Sequence, residues 1–307
     1  MSHTKPISDI KPEVVKRAET KLTELDWLYG YTTVNGNQYW GIPMGRISLW
    51  AGEKGVGKSR LSITLAKKLN SLGWKILYFQ TETTLEDFAG WVKGVHDPYN
   101  FICSSASSVA DQISAIRQYR PHFVFVDSVN EIDEFENGTK KEARFLMNGD
   151  ETTDGYRDIC KEMGNIHVIF LCQLNQDGST KGGTTLPHLV DVNIHMVHDG
   201  DKFIVRPGVK HRYGRTGPAF RSEWKHVEDG VVCISNYSTE DEFYCGSKGI
   251  APNTPSRGKG GPAPDLVWGP DGEPYVKGTE PKGSIRMGEP VVVQDRGSFW
   301  HNFLYGR

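Results

Sequence analysis

Cysteine is scarce in this 307-residue chain: Cys103, Cys160, Cys172, Cys233 and Cys245 stand far apart and never as a C-x-x-C pair. That spacing excludes a zinc ribbon and a disulfide framework. No stretch approaches the ~18 apolar residues of a membrane span, and the opening MSHTKPISDIK lacks the apolar segment of a signal peptide. A cytoplasmic protein with no membrane partner is therefore expected. Excess charge is missing as well, since 36 Lys and Arg against 38 Asp and Glu leave a net charge of −2. This excludes nucleic-acid binding through bulk charge, although a local basic strip could still hold phosphates. No internal repeat of roughly 20–50 residues is visible.

What is present is a chain long enough for two domains at roughly 100–200 residues each. Its 37% apolar and 24% charged residues are those of a folded protein. Residues 12–29 read as helical, with Val15, Leu22, Leu25 and Leu28 at three-to-four spacing. Between Arg46 and Val197 come short apolar runs, ISLWA (47–51), ILYFQ (76–80), FVFVD (123–127), HVIFLC (167–172) and VNIHMV (192–197). Such runs read as strands buried on both faces, with crossover helices expected at 59–72, 109–119 and 152–163. The fold class is therefore α/β, with a mostly parallel sheet flanked by helices. From 246 to 290 the chain holds ten glycines and eight prolines, and no packed domain is evident there.

The strongest local signal is Gly52-Glu53-Lys54-Gly55-Val56-Gly57-Lys58-Ser59, which fits G-x-x-x-x-G-K-[ST]. A strand leads in and a helix leads out, so loop N–H groups and the helix N-terminus converge on one anion site. With Arg60 beside it, this loop is the expected ATP contact. Lys58 would neutralise the β- and γ-phosphates, and the Ser59 hydroxyl would ligate Mg²⁺. Asp127 closes FVFVD at a strand's carboxyl end, where it could hold Mg²⁺ or merely cap a turn. Glu82 follows ILYFQT and could deprotonate an attacking water, or be only a solvated carboxylate. Gln173 follows HVIFLC, where an amide could feel the γ-phosphate. The basic residues of 201–225, Lys202, Arg206, Lys210, Arg212, Arg215, Arg221 and Lys225, form the most basic strip, read either as an anion-binding face or as a charged hairpin edge.

Taken together, GIPMGRISLWAGEKGVGKS, LYFQTET, FVFVDSV and CQLNQDGSTKGGTTLPHLVDVNIHM resemble the RecA-like ATPase core of the RadA (Sms) DNA-repair proteins, relatives of DnaB-type hexameric helicases. The resemblance runs from about Gly41 to Trp224, and VKHRYG (209–214) is close to the Lys-Asn-Arg-Phe-Gly motif of that family. It implies Lys58, Ser59 and Asp127 at the nucleotide and Mg²⁺ positions, Glu82 as general base and Gln173 as sensor. It further implies Lys210 and Arg212 reaching a neighbouring subunit's γ-phosphate, and Lys181, Gly182 and Gly183 in a DNA-facing loop.

The expected organisation is an N-terminal arm or helix (1–30), a RecA-like ATPase domain (31–245) and a Gly/Pro-rich extension (246–307). The arm and extension stand where the family usually has a zinc finger and a Lon-protease-like domain. The implied activity is ATP hydrolysis by a ring, a hexamer, that moves along or remodels single-stranded DNA, with a recombinase or replication protein as a further partner. The rival expectation is a KaiC-like assembly ATPase, or a loader, that does not travel on DNA. It draws on the near-zero charge and on residues 130–154, which the resemblance implies as a first DNA-facing loop but where eight acids stand against Lys140, Lys141 and Arg144.

Overall fold

The computed structural model describes residues 14–175, 179–180, 185–213 and 221–237, together with three short strands between 266 and 286. The chain opens with β1 (Arg17–Ala18), α1 (Thr23–Tyr29), β2 (Tyr31–Val34), β3 (Asn37–Trp40) and β4 (Ile42–Pro43). Then come β5 (Ile47–Gly52), α2 (Lys58–Ser71), β6 (Ile76–Gln80), α3 (Leu85–Trp91), β7 (Phe101–Ser104), α4 (Val109–Tyr119) and β8 (Phe123–Asp127). Next are α5 (Lys140–Asn148), α6 (Tyr156–Met163), β9 (His167–Gln173) and α7 (Thr185–Leu189). Four successive strands follow: β10 (Val192–Asp199), β11 (Lys202–His211), β12 (Arg221–Val227) and β13 (Gly230–Tyr237).

One nine-stranded sheet runs in the order β13-β12-β11-β10-β5-β9-β8-β6-β7. Its six strands from β10 to β7 are parallel, and β11 to β13 extend it as an antiparallel meander. The five apolar runs are all parallel strands, because alternate side chains feed two different cores. Phe123, Phe125, Ile169 and Leu171 pack with α1 and α2, alongside Trp50, Leu61 and Leu65. Val124, Val126, Val168 and Phe170 point the other way, against Ile113, Leu146, Tyr156 and Leu186. Phe170 meets Tyr156 edge-on at 4.8 Å between ring centroids, and truncating such a buried ring costs about 3–5 kcal/mol.

Three departures from the expected elements have local causes. The helix expected over 12–29 begins only at Thr23. Arg17 and Ala18 instead pair with Pro43 and Ile42, and Lys21 takes a left-handed φ of 59° while Asp26 accepts from Thr20 N at 2.8 Å and Lys21 N at 3.1 Å. The helix expected from Thr152 begins at Tyr156, because Asp150 Oδ1 holds Thr152 N and Thr153 N in a turn at 2.8 and 2.9 Å. The acid-rich stretch 130–154 is not an open loop. It buries Phe135, Leu146 and Met147 and contains α5, opened by a reciprocal Thr139–Glu142 capping box, a device worth about 1 kcal/mol.

Residues from Pro264 form a second unit. In it β14 (Leu266–Trp268) pairs antiparallel with β15 (Pro274–Val276) and with β16 (Ile285–Arg286). Strands of two or three residues carry too few positions for a periodicity to register.

Candidate nucleotide-binding site

The loop between β5 and α2 forms because its glycines meet demands that other residues do not. Gly57 has φ 108°, a left-handed conformation, and a Cβ on it would come within 2.6 Å of His226 Cε1. At Gly52 a Cβ would meet Met196 O and Val56 Cγ1 at 2.8 Å, so β10 and the loop approach the backbone directly. Val56 is wholly buried in the core and Gly52 is buried as well, Glu53 contributes its carbonyl, and the remaining loop residues line a cleft.

At the carboxyl ends of the parallel strands lies a cleft of about 800 Å³. Lys54, Gly55, Gly57, Lys58, Ser59 and Arg60 form one wall. Thr81 and Glu82 from the end of β6, Asp127 from β8, Glu131 from the turn after it and Gln173 from β9 form the other, and His226 of β12 closes one end. The expected Lys58, Ser59, Arg60, Glu82, Asp127 and Gln173 thus share one site. Sequence reading missed Thr81, Glu131 and His226. The first two sit within four residues of strand-end groups already singled out, whereas His226 arrives through the meander and carries no local signal.

The electrostatics fit an anion-and-cation site. Lys58 Nζ donates to the carbonyls of Gly52 and Glu53 at 2.8 and 2.9 Å. Burial lowers its pKa, while Asp127, Cys172 and Glu82 pull it up. These carbonyls are neutral partners, and a charged phosphate forms stronger hydrogen bonds to an ammonium than they do. Asp127 is 2% exposed. Burial pushes its carboxyl up to about 6, with Glu82 adding repulsion and hydrogen bonds from Ser59 and Tyr78 and the charge of Lys58 opposing. Tyr78 OH donates to Asp127 Oδ2 at 3.0 Å and lies 2.7 Å from Ser62 Oγ. A buried carboxylate joined to the Ser59 hydroxyl, and in no ion pair among the described residues, is an oxygen donor set short of positive charge, so Ser59 and Asp127 fit Mg²⁺.

Lys210 and Arg212 are elsewhere. In the β10 registers Val192 lies beside His211 on one side and Ser48 on the other. The motif is therefore level with the start of β5, about 13 Å of strand below the phosphate loop. Lys210 Nζ donates to His188 O, and burial lowers its pKa, helped by the charge of Arg212. Lys181, Gly182 and Gly183 lie outside the described residues.

No family model matches the chain. It is similar to DNA repair protein RadA of Mycolicibacterium smegmatis, with 27% identity over 245 residues, which is 76% of this chain and 48% of that protein. The RadA of Aquifex aeolicus is 26% identical over 255 residues, covering 81% of this chain and 52% of the relative. For Listeria monocytogenes RadA the identity is 25% over 244 residues, covering 77% and 49%. The chain thus spans about half the length of the curated relatives it matches. Among the described residues no helix is long and apolar enough to cross a membrane. With a mostly parallel sheet, a phosphate loop at the end of β5 and this similarity over three quarters of its length, the chain is RadA-like, built on a RecA-like core.

Proposed function

We propose that this chain is an ATPase of DNA repair and recombination that assembles as a ring and uses hydrolysis to move along or remodel single-stranded DNA. The observation that carries the ATPase is the convergence of Lys58, Ser59, Asp127, Glu82 and Gln173 on one cleft. ATP would lie with its phosphates along the loop N–H groups, and Lys58 would leave the Gly52 and Glu53 carbonyls for the β- and γ-phosphate oxygens. Mg²⁺ held by Ser59 and Asp127 would neutralise charge on those oxygens. Glu82 takes a proton from water as its oxygen attacks the γ-phosphorus, and the bond to the bridging oxygen breaks with its electron pair leaving on ADP. Gln173, at the end of the strand beside β5, is placed to feel the loss of the γ-phosphate.

Lys210 and Arg212 lie far from their own cleft, which supports their acting on a neighbour's nucleotide and so supports an oligomer. DNA as the substrate rests on the similarity to DNA repair proteins and on the basic strip from Lys202 to Lys225. The second reading, an assembly ATPase, is favoured by one observation. Residues 130–154 fold into packed turns and a helix, with Glu131 turned into the nucleotide cleft. The deciding experiment measures ATP hydrolysis with and without single-stranded DNA, beside oligomer size with and without a non-hydrolysable ATP analogue. Stimulation by DNA in a nucleotide-dependent oligomer supports the motor; DNA-indifferent hydrolysis overturns it in favour of the assembly ATPase.

A further inference from the structure

Arg17, in the segment before the phosphate loop, reaches the backbone just past the end of β11 at Tyr213. Arg17 is 8% exposed, and all five of its N–H donors meet oxygen. Nη1 donates to Tyr29 O at 2.8 Å and Gly41 O at 3.1 Å, and Nε to Thr32 Oγ1 at 2.9 Å. Nη2 donates to Tyr31 O at 3.3 Å and, across 196 residues of sequence, to Tyr213 O at 2.6 Å. These acceptors are neutral, so the guanidinium is a cation buried for its geometry rather than for an ion pair.

The segment it grips follows the end of β11, where His211 pairs with Val192 of β10. Around Arg212 the neighbours are fixed one by one. His211 Nε2 lies 2.9 Å from Leu28 O, and Arg212 N donates to Asp191 O at 3.1 Å. The Tyr213 ring lies under the Arg46 guanidinium at 4.9 Å. Arg212 itself is exposed at the surface.

We propose that Arg17 is a positioning residue that aims Arg212 at the neighbouring subunit, so that the N-terminal segment sets the competence of the shared site. This rests on the reading that Arg212 acts in trans. A group that stabilises a transition state loses its effect steeply when displaced by about 1 Å, of the order of a hundredfold in rate, whereas nucleotide binding at the subunit's own loop is untouched.

The test uses the full chain. Arg17→Ala and Arg17→Lys should bind a fluorescent ATP analogue within about threefold of wild type but lose tenfold or more in turnover, Lys less than Ala because an ammonium keeps up to three donors for the five acceptors and alanine keeps none. Mixing Arg17→Ala with Lys58→Ala subunits should restore part of the activity, because the intact Arg212 of one meets the intact loop of the other. In a double-mutant cycle, Arg17→Lys should lower turnover no further once Arg212 is alanine. Wild-type turnover in Arg17→Ala, or an additive cycle, overturns the proposal. If Arg17→Ala does not fold, judged by circular dichroism, Arg17→Lys and the cycle decide alone. If Arg212→Ala mixed with Lys58→Ala recovers while the Arg17→Ala mixture does not, Arg17 acts on the fold and the trans reading survives. If neither mixture recovers in verified mixed oligomers, the trans reading itself fails.

Discussion

At the carboxyl ends of the parallel strands, Lys58, Glu82, Asp127 and Glu131 face one cleft, whereas at the amino ends His122, His167 and His211 are packed against backbone. The same sheet treats ionisable groups in opposite ways. In the cleft, burial lowers Lys58 and raises Asp127, yet each has an opposite charge nearby that works against burial. That is an arrangement poised for a charged ligand. At the other end, burial pushes His122 down to about 4 and His167 to about 3, and lowers His211 as well, with arginines or Lys75 adding to the effect. There the histidines serve as neutral hydrogen-bonding wedges. One end of the sheet is kept chargeable, whereas the histidines at the other are kept neutral, and the Arg17 guanidinium bonds to the Tyr213 carbonyl at that second end.

The largest test of this contrast is Lys58→Ala. It removes the cleft's central cation, and hydrolysis should fall by about a thousandfold or more with weakened nucleotide binding; near-normal turnover in the purified variant would refute the assignment of the cleft. Glu82→Gln comes next. The amide keeps the shape but cannot take a proton, so turnover should fall about 10²–10⁴-fold while nucleotide affinity holds. Loss of affinity in a binding titration would mean that Glu82 builds the cleft instead of working in it. A smaller effect is expected at His226, whose ring abuts Gly57 and packs on Phe203 at 5.1 Å. His226→Ala should weaken nucleotide binding about fivefold, in keeping with about 1 kcal/mol for one lost contact, and leave turnover at saturating ATP close to wild type.

The cleft was legible in the sequence because its parts are local. A glycine loop after an apolar run, and single polar residues ending ILYFQT, FVFVD and HVIFLC, are signals contained in a few residues each. The parallel sheet was legible for the same reason, since each strand announces itself by burial on both faces. His226 was not, because its place depends on β12 folding back across β10 and β5 to meet Gly57. Arg17 was invisible for a further reason. A helical periodicity over 12–29 suggested an arm or a packed helix, but the pairing of Arg17 with Pro43 and the reach to Tyr213 are contacts between distant segments. Glu131 fell within a stretch read as a loop and weighed by its net acidity, and charge counting does not say which carboxylate turns inward.

The finest test is of the neutral end. His122 Nδ1 accepts from Lys75 N at 3.1 Å, the His122 backbone N–H donates to Lys75 O at 2.8 Å, and the His122 carbonyl accepts from His167 N at 2.9 Å, so His122 joins the starts of β6, β8 and β9. Its ring stands edge-on to Trp74 at 5.1 Å. Because its pKa is about 4 folded and about 6.5 unfolded, the unfolded chain takes up the proton first. Stability is therefore fully present above pH 6.5 and is lost as pH falls from there toward 4, on the order of 2–3 kcal/mol for this one group. Asparagine can keep the acceptor for Lys75 N without titrating. His122→Asn should then be less stable than wild type at pH 7.5, for want of the Trp74 contact, yet lose less on acidification, with a shallower slope of unfolding free energy between pH 6.5 and 4.5. Parallel slopes for the two proteins in urea titrations across that range would show that His122 is not held neutral, and the contrast between the two ends of the sheet would then rest on His167 and His211 alone.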